Sequence, residues 1–209
     1  EYNGKLEKIS KYSFSKIDNY EKHEPELVFF ENNIIFFDNK GTILSFDHNS
    51  KLIWKTNIYS KDDKKLKPQI FMKKNNDKLI ITDNLSKFYA LNIKNGKILW
   101  SKNHKTPFNS QIKIFQNYFF VVDSNNVLIC YSIEDGEKIW SYETEKPFVS
   151  SIKKLSIVIK NDLVIFSNSL GDITGINLSS GTLEWQISTQ NTEDFSELID
   201  FKTSDLIIN

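Results

Sequence analysis

The sequence predicts an all-β protein, a β-propeller of four-stranded antiparallel blades, and two observations lead to this fold class. First, all four tryptophans recur at even intervals: Trp54, Trp100, Trp140 and Trp185 are separated by 46, 40 and 45 residues, which is the length of a propeller blade. Second, the intervening segments contain short β-branched and aromatic runs separated by Asn, Asp, Ser and Gly, without a 3.6-residue period. Repeats built from helices are therefore excluded.

A β-hairpin precedes each tryptophan. The clearest copy is Phe88–Trp100, in which a strand-like run turns at Asn95-Gly96 and a second run ends at the tryptophan. Glycine favours such a turn because it adopts positive φ at little cost. Gly96, Gly136 and Gly181 each lie four residues before a tryptophan. The hairpin before Trp54 has a turn one residue shorter and lacks glycine.

A small residue recurs in the first strand of each hairpin, at Ser45, Ala90, Cys130 and Gly175. This pattern indicates a position where another group packs closely. Cys130 is the single cysteine of the chain, so it cannot form an internal disulfide or a multi-cysteine metal site. We predict that it is a small buried apolar residue, which is the usual role of a free cysteine.

The blades follow one another along a single domain covering residues 1–209. Their predicted bounds are 25–58, 68–104, 107–144 and 147–188, with the start of a fifth blade at 195–209. Leu198–Ile208 repeats the opening half of a blade, as in Ile70–Ile81. A blade without its hairpin leaves a propeller open, so we expect a longer protein with a further Gly-x-x-x-Trp hairpin within about 30 residues after Asn209.

Within each predicted blade, short apolar runs are separated by turn residues. The runs of the first blade are Leu27–Phe30, Ile34–Phe37, Thr42–Asp47 and Leu52–Thr56. Early strands of the second and third blades are predicted at Ile70–Met72, Leu79–Thr82, Gln111–Phe115 and Tyr118–Val122. Those of the fourth are Ile157–Ile159, Leu163–Phe166, Asp172–Leu178 and Leu183–Ile187. The lysine-rich stretch Lys61–Lys67 is predicted to be a solvated loop between blades.

Composition and motifs exclude several classes of function. The chain has 27 basic and 27 acidic residues and no arginine, so no overall field or guanidinium group recruits nucleic acid. No apolar stretch reaches the roughly 18 residues that span a bilayer. The three histidines (His23, His48 and His104) are far apart and predicted to lie on the surface, and no nucleotide-binding or hydrolase motif occurs. We therefore predict no catalytic, cofactor-binding or metal-binding residues.

The hairpin resembles the PQQ-like propeller repeat, whose form is roughly Ala-Leu-Asp-x-x-x-Gly-Lys-x-x-Trp. Ala90-Leu91-Asn92 with Gly96-Lys97 and Trp100 is the most similar copy, and the resemblance covers most of the chain. It implies a ring of roughly eight blades, about four of which are present. It also implies that the tryptophan of one blade docks on its neighbour near the small residue. The motif is thus a structural clasp.

Among proteins with this repeat, the chain is most similar to the BamB family of outer-membrane assembly factors. This resemblance implies a non-catalytic periplasmic scaffold, anchored to the outer membrane by a lipid upstream of Glu1, whose loops bind a BamA-type protein. PQQ-dependent dehydrogenases share the repeat and are the alternative, but they hold the quinone against a vicinal disulfide, which Cys130 alone cannot form. A generic extracytoplasmic sensor or adaptor propeller is the third possibility.

Overall fold

The computed structural model describes residues 27–148, 154–188 and 206–207. Within them, sixteen strands form four antiparallel sheets of four strands each, and the strands of each sheet are neighbours in chain order. We call the sheets blades 1 to 4. Together they are part of a β-propeller, as the sequence predicts. Most of the expected fifth blade lies outside the described residues.

The strands of the first two blades are β1 Leu27–Phe30, β2 Asn33–Phe37, β3 Thr42–Asp47, β4 Leu52–Asn57, β5 Ile70–Asn75, β6 Lys78–Asp83, β7 Lys87–Asn92 and β8 Ile98–Asn103. Those of the last two are β9 Lys113–Phe115, β10 Tyr118–Val122, β11 Val127–Ser132, β12 Lys138–Glu143, β13 Ile157–Lys160, β14 Leu163–Ser167, β15 Asp172–Asn177 and β16 Leu183–Ser188. The predicted strand bounds agree with these to within a few residues.

The middle strands of blade 2 are apolar on both faces because another blade packs on each face. Leu79, Ile80 and Ile81 are all fully buried, although successive side chains of a strand point to opposite faces. Leu79 and Ile81 pack in a cluster shared with blade 1, whereas Ile80 packs in a cluster shared with blade 3. The hydrophobic core is thus divided among the interfaces between blades.

The first strand of each blade lies innermost and the fourth lies at the outer edge. β1 contacts β5, β5 contacts β9, and β9 contacts β13. Backbone hydrogen bonding joins blades on this inner side, where Leu155 N–H donates to the Asn109 carbonyl at 2.8 Å. The N–H of Leu206 donates to Ser156 Oγ at 3.0 Å, so the chain after blade 4 returns to the inner side.

The up-and-down strand order gives each sheet two ends with different loops. The hairpin side carries the turns between first and second strands and between third and fourth strands. The connection side carries the turns between second and third strands and the segments that lead from one blade to the next.

A helix, α1 Lys61–Lys65, replaces the loop predicted between blades 1 and 2. Ser60 caps it: its hydroxyl accepts from the Asp63 N–H while the Asp63 carboxylate accepts from the Ser60 N–H. This capping box is the local signal that the prediction missed. Asp63 also pairs with Lys87 at 2.6 Å. In the described part of the chain, no helix is long and apolar enough to cross a membrane.

Candidate functional site

Three of the four tryptophans reach across to the following blade. Their indole N–H groups donate to backbone carbonyls at 3.0 Å from Trp54 to Ile93, 3.1 Å from Trp100 to Ile133 and 3.1 Å from Trp140 to Leu178. Each acceptor lies three residues before a hairpin glycine. The contact therefore recurs in the same form at all three described interfaces between blades.

The hairpin glycines lie under these indole rings. Gly96, Gly136 and Gly181 have φ between 69° and 72°, a left-handed conformation that costs side-chain-bearing residues free energy. A Cβ atom at Gly96 would lie 2.4 Å from the Trp54 ring, and one at Gly181 would lie 2.6 Å from the Trp140 ring. Glycine is thus required at this position both by the turn and by the neighbouring ring.

The small residues lie on the tryptophan's own blade, whereas the resemblance implied that they would lie near the docking point. Ala90 pairs with Trp100 across β7 and β8, and a register shift follows directly after Ala90. Ser45, Cys130 and Gly175 pair with their own tryptophans in the same way. Cys130 is buried, and burial raises the pKa of its thiol to about 12.

The fourth tryptophan, Trp185, differs from the other three. Its indole N–H has no hydrogen-bond partner among the described residues, and the ring is partly exposed. A Cβ atom at Gly175 would lie 2.4 Å from this ring, so the indole rests on its own blade. Trp185 thus occupies the same repeat position as the three docked tryptophans, but its indole N–H has no acceptor among the described residues.

A second repeated feature, which the sequence analysis missed, fixes the connection side. At or just after the end of each second strand, the Oδ1 atom of an aspartate or asparagine accepts hydrogen bonds from the backbone N–H groups two and four residues further on. These turn residues are Asp38, Asp83, Asp123 and Asn168. Aspartate and asparagine favour such turns. These four residues are spaced 45, 40 and 45 residues apart, and this regular spacing is the sequence signal that could have revealed the repeated turn.

These turns also bind the preceding blade. The Tyr59 hydroxyl donates to Asp83 Oδ2 at 2.5 Å, His104 Nε2 lies 3.1 Å from Asp123 Oδ2, and Asn168 Nδ2 donates to Thr144 Oγ1 at 3.3 Å. Tyr59, His104 and Thr144 each follow an outer strand by one or two residues. Each of β4, β8 and β12 is therefore fastened to the next blade at both ends.

The Asp83 carboxylate is fully buried. Burial raises its pKa above the usual range, although hydrogen bonds from Tyr59, Lys87 and Leu85 act in the opposite direction. Burial and the nearby Asp83 raise the pKa of Tyr59, so its hydroxyl stays protonated and donates. The pair thus forms a buried hydrogen bond between a neutral donor and a carboxylate.

His104 is not the surface histidine that the sequence predicted. Its side chain is 19% exposed, and its Nδ1 lies 2.9 Å from the Tyr131 hydroxyl while Nε2 faces Asp123. The ring also stacks on Phe108 at 5.1 Å. Because both nitrogens are engaged, His104 fastens blades 2 and 3 and has no nitrogen left for a metal or a substrate.

A groove of about 590 Å³ lies beside His104 between blades 2 and 3. Lys102, two residues after Trp100, pairs with Glu137 at its wall. The equivalent residue of blade 3 is Tyr142, which packs against the next core cluster.

Among the described residues, no group of three or more His, Cys, Asp or Glu side chains is placed to hold a metal ion.

Trp54→Phe should lower the free energy of unfolding by about 1–3 kcal/mol, because the buried Ile93 carbonyl loses its donor. Trp185→Phe is the matched control, since its N–H has no acceptor among the described residues, and should change stability by less than about 0.5 kcal/mol. Urea unfolding measures both. Equal losses in the two variants would contradict the assignment of the clasp.

Gly96→Ala should cost more stability than Gly136→Ala. Both substitutions place a side chain at positive φ, but the added Cβ would lie 2.4 Å from the ring at Gly96 and 3.0 Å at Gly136. Overpacking of this kind costs roughly 1–3 kcal/mol beyond the backbone strain. Thermal unfolding of the two variants provides the comparison, and the reverse order would show that ring overlap is unimportant.

Asp83→Asn should gain stability relative to the wild type as pH rises from about 4 to about 7. Because the folded-state pKa of Asp83 is raised, the folded protein binds this proton more tightly, and the carboxyl's contribution to stability falls as pH rises. Asp63→Asn should show the opposite trend at lower pH, losing stability relative to the wild type as pH rises from about 3 to about 5, since Lys87 and Ser60 lower the pKa of Asp63. Urea unfolding from about pH 3 to about pH 7 tests the pair, and changes of the same sign in the two variants would refute it.

Comparison with known proteins agrees with this geometry. No curated protein matches the chain significantly. Among solved structures, BamB from Moraxella catarrhalis superimposes with a TM-score of 0.59 at 17% identity over 79% of this chain. The chain spans 52% of that BamB, about half its length. At this identity the likeness shows the fold alone.

Two computationally designed proteins share the fold. Ika4 matches with a TM-score of 0.58 at 12% identity, covering 77% of this chain and 94% of Ika4. Ika8 matches with a TM-score of 0.52 at 11% identity, covering 78% of this chain and 61% of Ika8. The family model described as outer membrane protein assembly factor BamB matches residues 33–209. Since that match covers most of the sequence, the chain belongs to the BamB family of outer membrane protein assembly factors.

Proposed function

We propose that the chain is a non-catalytic scaffold of the machinery that assembles outer-membrane β-barrels, and that its loops bind a BamA-type protein. The observation that carries the proposal is the match of the BamB family model over residues 33–209. The proposed location is the periplasm, with a lipid anchor attaching the protein to the outer membrane. The family match is the only support for the proposed partner, anchor and location.

The chemistry of the interfaces supports a scaffold. Four described side chains of types that often act in catalysis are engaged in fastening blades: His104 and Asp123 join blades 2 and 3, and Tyr59 and Asp83 join blades 1 and 2. The thiol of Cys130 is buried with a raised pKa, which disfavours the reactive thiolate. Blades fastened at both ends hold their loops in fixed positions, as a docking platform requires.

A pull-down from envelope extracts with the full-length protein tests the proposal. Recovery of BamA, whose periplasmic part contains polypeptide-transport-associated domains, is the expected result, and an extract passed over the tag alone is the control. Mass spectrometry of the bound fraction gives the measurement. A preparation that instead oxidises alcohols in a quinone-dependent reaction would overturn the scaffold and favour a dehydrogenase.

A further inference from the structure

The loops on the two sides of the described blades carry opposite net charge, although the whole chain is neutral. Among the described residues between strands, the connection-side loops contain eight lysines and five acidic residues, a net charge of +3: Lys40, Lys61, Lys64, Lys65, Lys67, Lys105, Lys146 and Lys154 against Asp38, Asp62, Asp63, Asp123 and Glu145. Hairpin-side loops contain three lysines and six acidic residues, a net charge of −3: Lys51, Lys94 and Lys97 against Glu31, Asp77, Glu134, Asp135, Glu137 and Asp162.

Burial increases this asymmetry at the surface. Asp38 and Asp123 are 8% and 2% exposed, and their carboxylates accept backbone N–H groups within their own turns. The acidic residues of the hairpin-side loops are all exposed. A charged partner therefore meets a basic surface on one side of the propeller and an acidic surface on the other.

Two large apolar side chains project from the basic side. Leu66 is 64% exposed on the connection between blades 1 and 2, and Phe148 is 94% exposed on the connection between blades 3 and 4. Lysines flank both: Leu66 lies between Lys65 and Lys67, and Lys146 precedes Phe148 by two residues. On the acidic side, by contrast, the apolar turn residues Ile93, Ile133 and Leu178 are buried.

We propose that the connection side docks on an anionic lipid bilayer, with Leu66 and Phe148 inserted among the headgroups. Lysines at such a surface are attracted to anionic lipids, and apolar tips add affinity by leaving water. The tips are on separate connections, and the connection between them contributes the exposed Lys105. A lipid surface adapts to both tips at once, whereas a protein partner would need matched pockets for each. This docking is additional to the protein partner proposed above.

Co-sedimentation of the full chain with lipid vesicles tests this proposal. We expect binding to phosphatidylcholine vesicles that contain about a third phosphatidylglycerol, little binding to pure phosphatidylcholine, and loss of binding at high salt because the charges are screened. The double variant Lys65→Glu/Lys146→Glu should lower the partition coefficient about tenfold or more. Leu66→Ser/Phe148→Ser should lower it severalfold.

Matched variants on other surfaces provide the controls. Lys94→Glu/Lys97→Glu makes the same change in net charge on the hairpin side, and Ile139→Ser removes an apolar residue that is 49% exposed on an outer strand. Both should bind vesicles like the wild type. Near-ultraviolet circular dichroism establishes that every variant is folded.

Absence of wild-type binding to the anionic vesicles would overturn the proposal and leave the connection side as a surface for an acidic protein. Equal losses in the two lysine double variants would also overturn it, because net charge alone would then explain the binding. Equal effects of Leu66→Ser/Phe148→Ser and Ile139→Ser would refute insertion of the two tips. The vesicles contain no protein, so each result is independent of whether BamA is the partner.

Discussion

The contact between an indole ring and the hairpin glycine of the next blade is the constraint on which the described structure depends. It combines a buried hydrogen bond, such as that from Trp54 to Ile93, with a ring that occupies the space of a missing Cβ at Gly96. A hydrogen bond alone would add only about 1 kcal/mol. Because the ring also packs on the turn, the two blades are fixed in both distance and orientation.

The opposite end of each interface uses polar groups in place of tryptophan. Tyr59, His104 and Thr144 hydrogen bond to the turn residue of the following blade. Their chemistry differs at each interface, whereas the turn residue that they contact is always an aspartate or an asparagine. The turn thus sets the position of the contact, and the preceding connection supplies whichever hydrogen-bonding group reaches it. The outer strands β4, β8 and β12 are each held at two points, which restricts their rotation about the indole contact.

Sequence alone predicted the fold because the hairpin repeat is local. Gly96 and Trp100 are four residues apart, and their pattern specifies a turn and two strands without knowledge of distant contacts. The role of the small residues came from the family resemblance, because a local pattern does not separate a contact within one blade from a contact between blades. Ala90 and Trp100 proved to be partners across two strands of the same blade.

Two of the missed features depend on contacts between residues that are distant in the sequence. His104 gave no sign of burial in its lysine-rich surroundings, because its partners Asp123 and Tyr131 lie 19 and 27 residues away. The helix at Lys61–Lys65 was missed for a different reason: Ser60 and Asp63 form a local capping box, but the run of charged residues was interpreted only as a solvated loop. The opposite charges of the two loop sides could not be predicted either. The composition gives only a net charge of zero, and the strand order is needed to know which loops lie on the same side.

The placement of every described tryptophan at the edge of a blade makes the chain's own fluorescence informative about its assembly. Trp54 is almost fully shielded from water, whereas Trp100, Trp140 and Trp185 are partly exposed. Separation of blades 1 and 2 would hydrate the Trp54 indole and shift its emission to longer wavelength, while quenching by a dissolved ion would act first on the rings nearest the solvent. Tryptophan fluorescence thus reports on the contacts between neighbouring sheets and not on the packing inside a sheet.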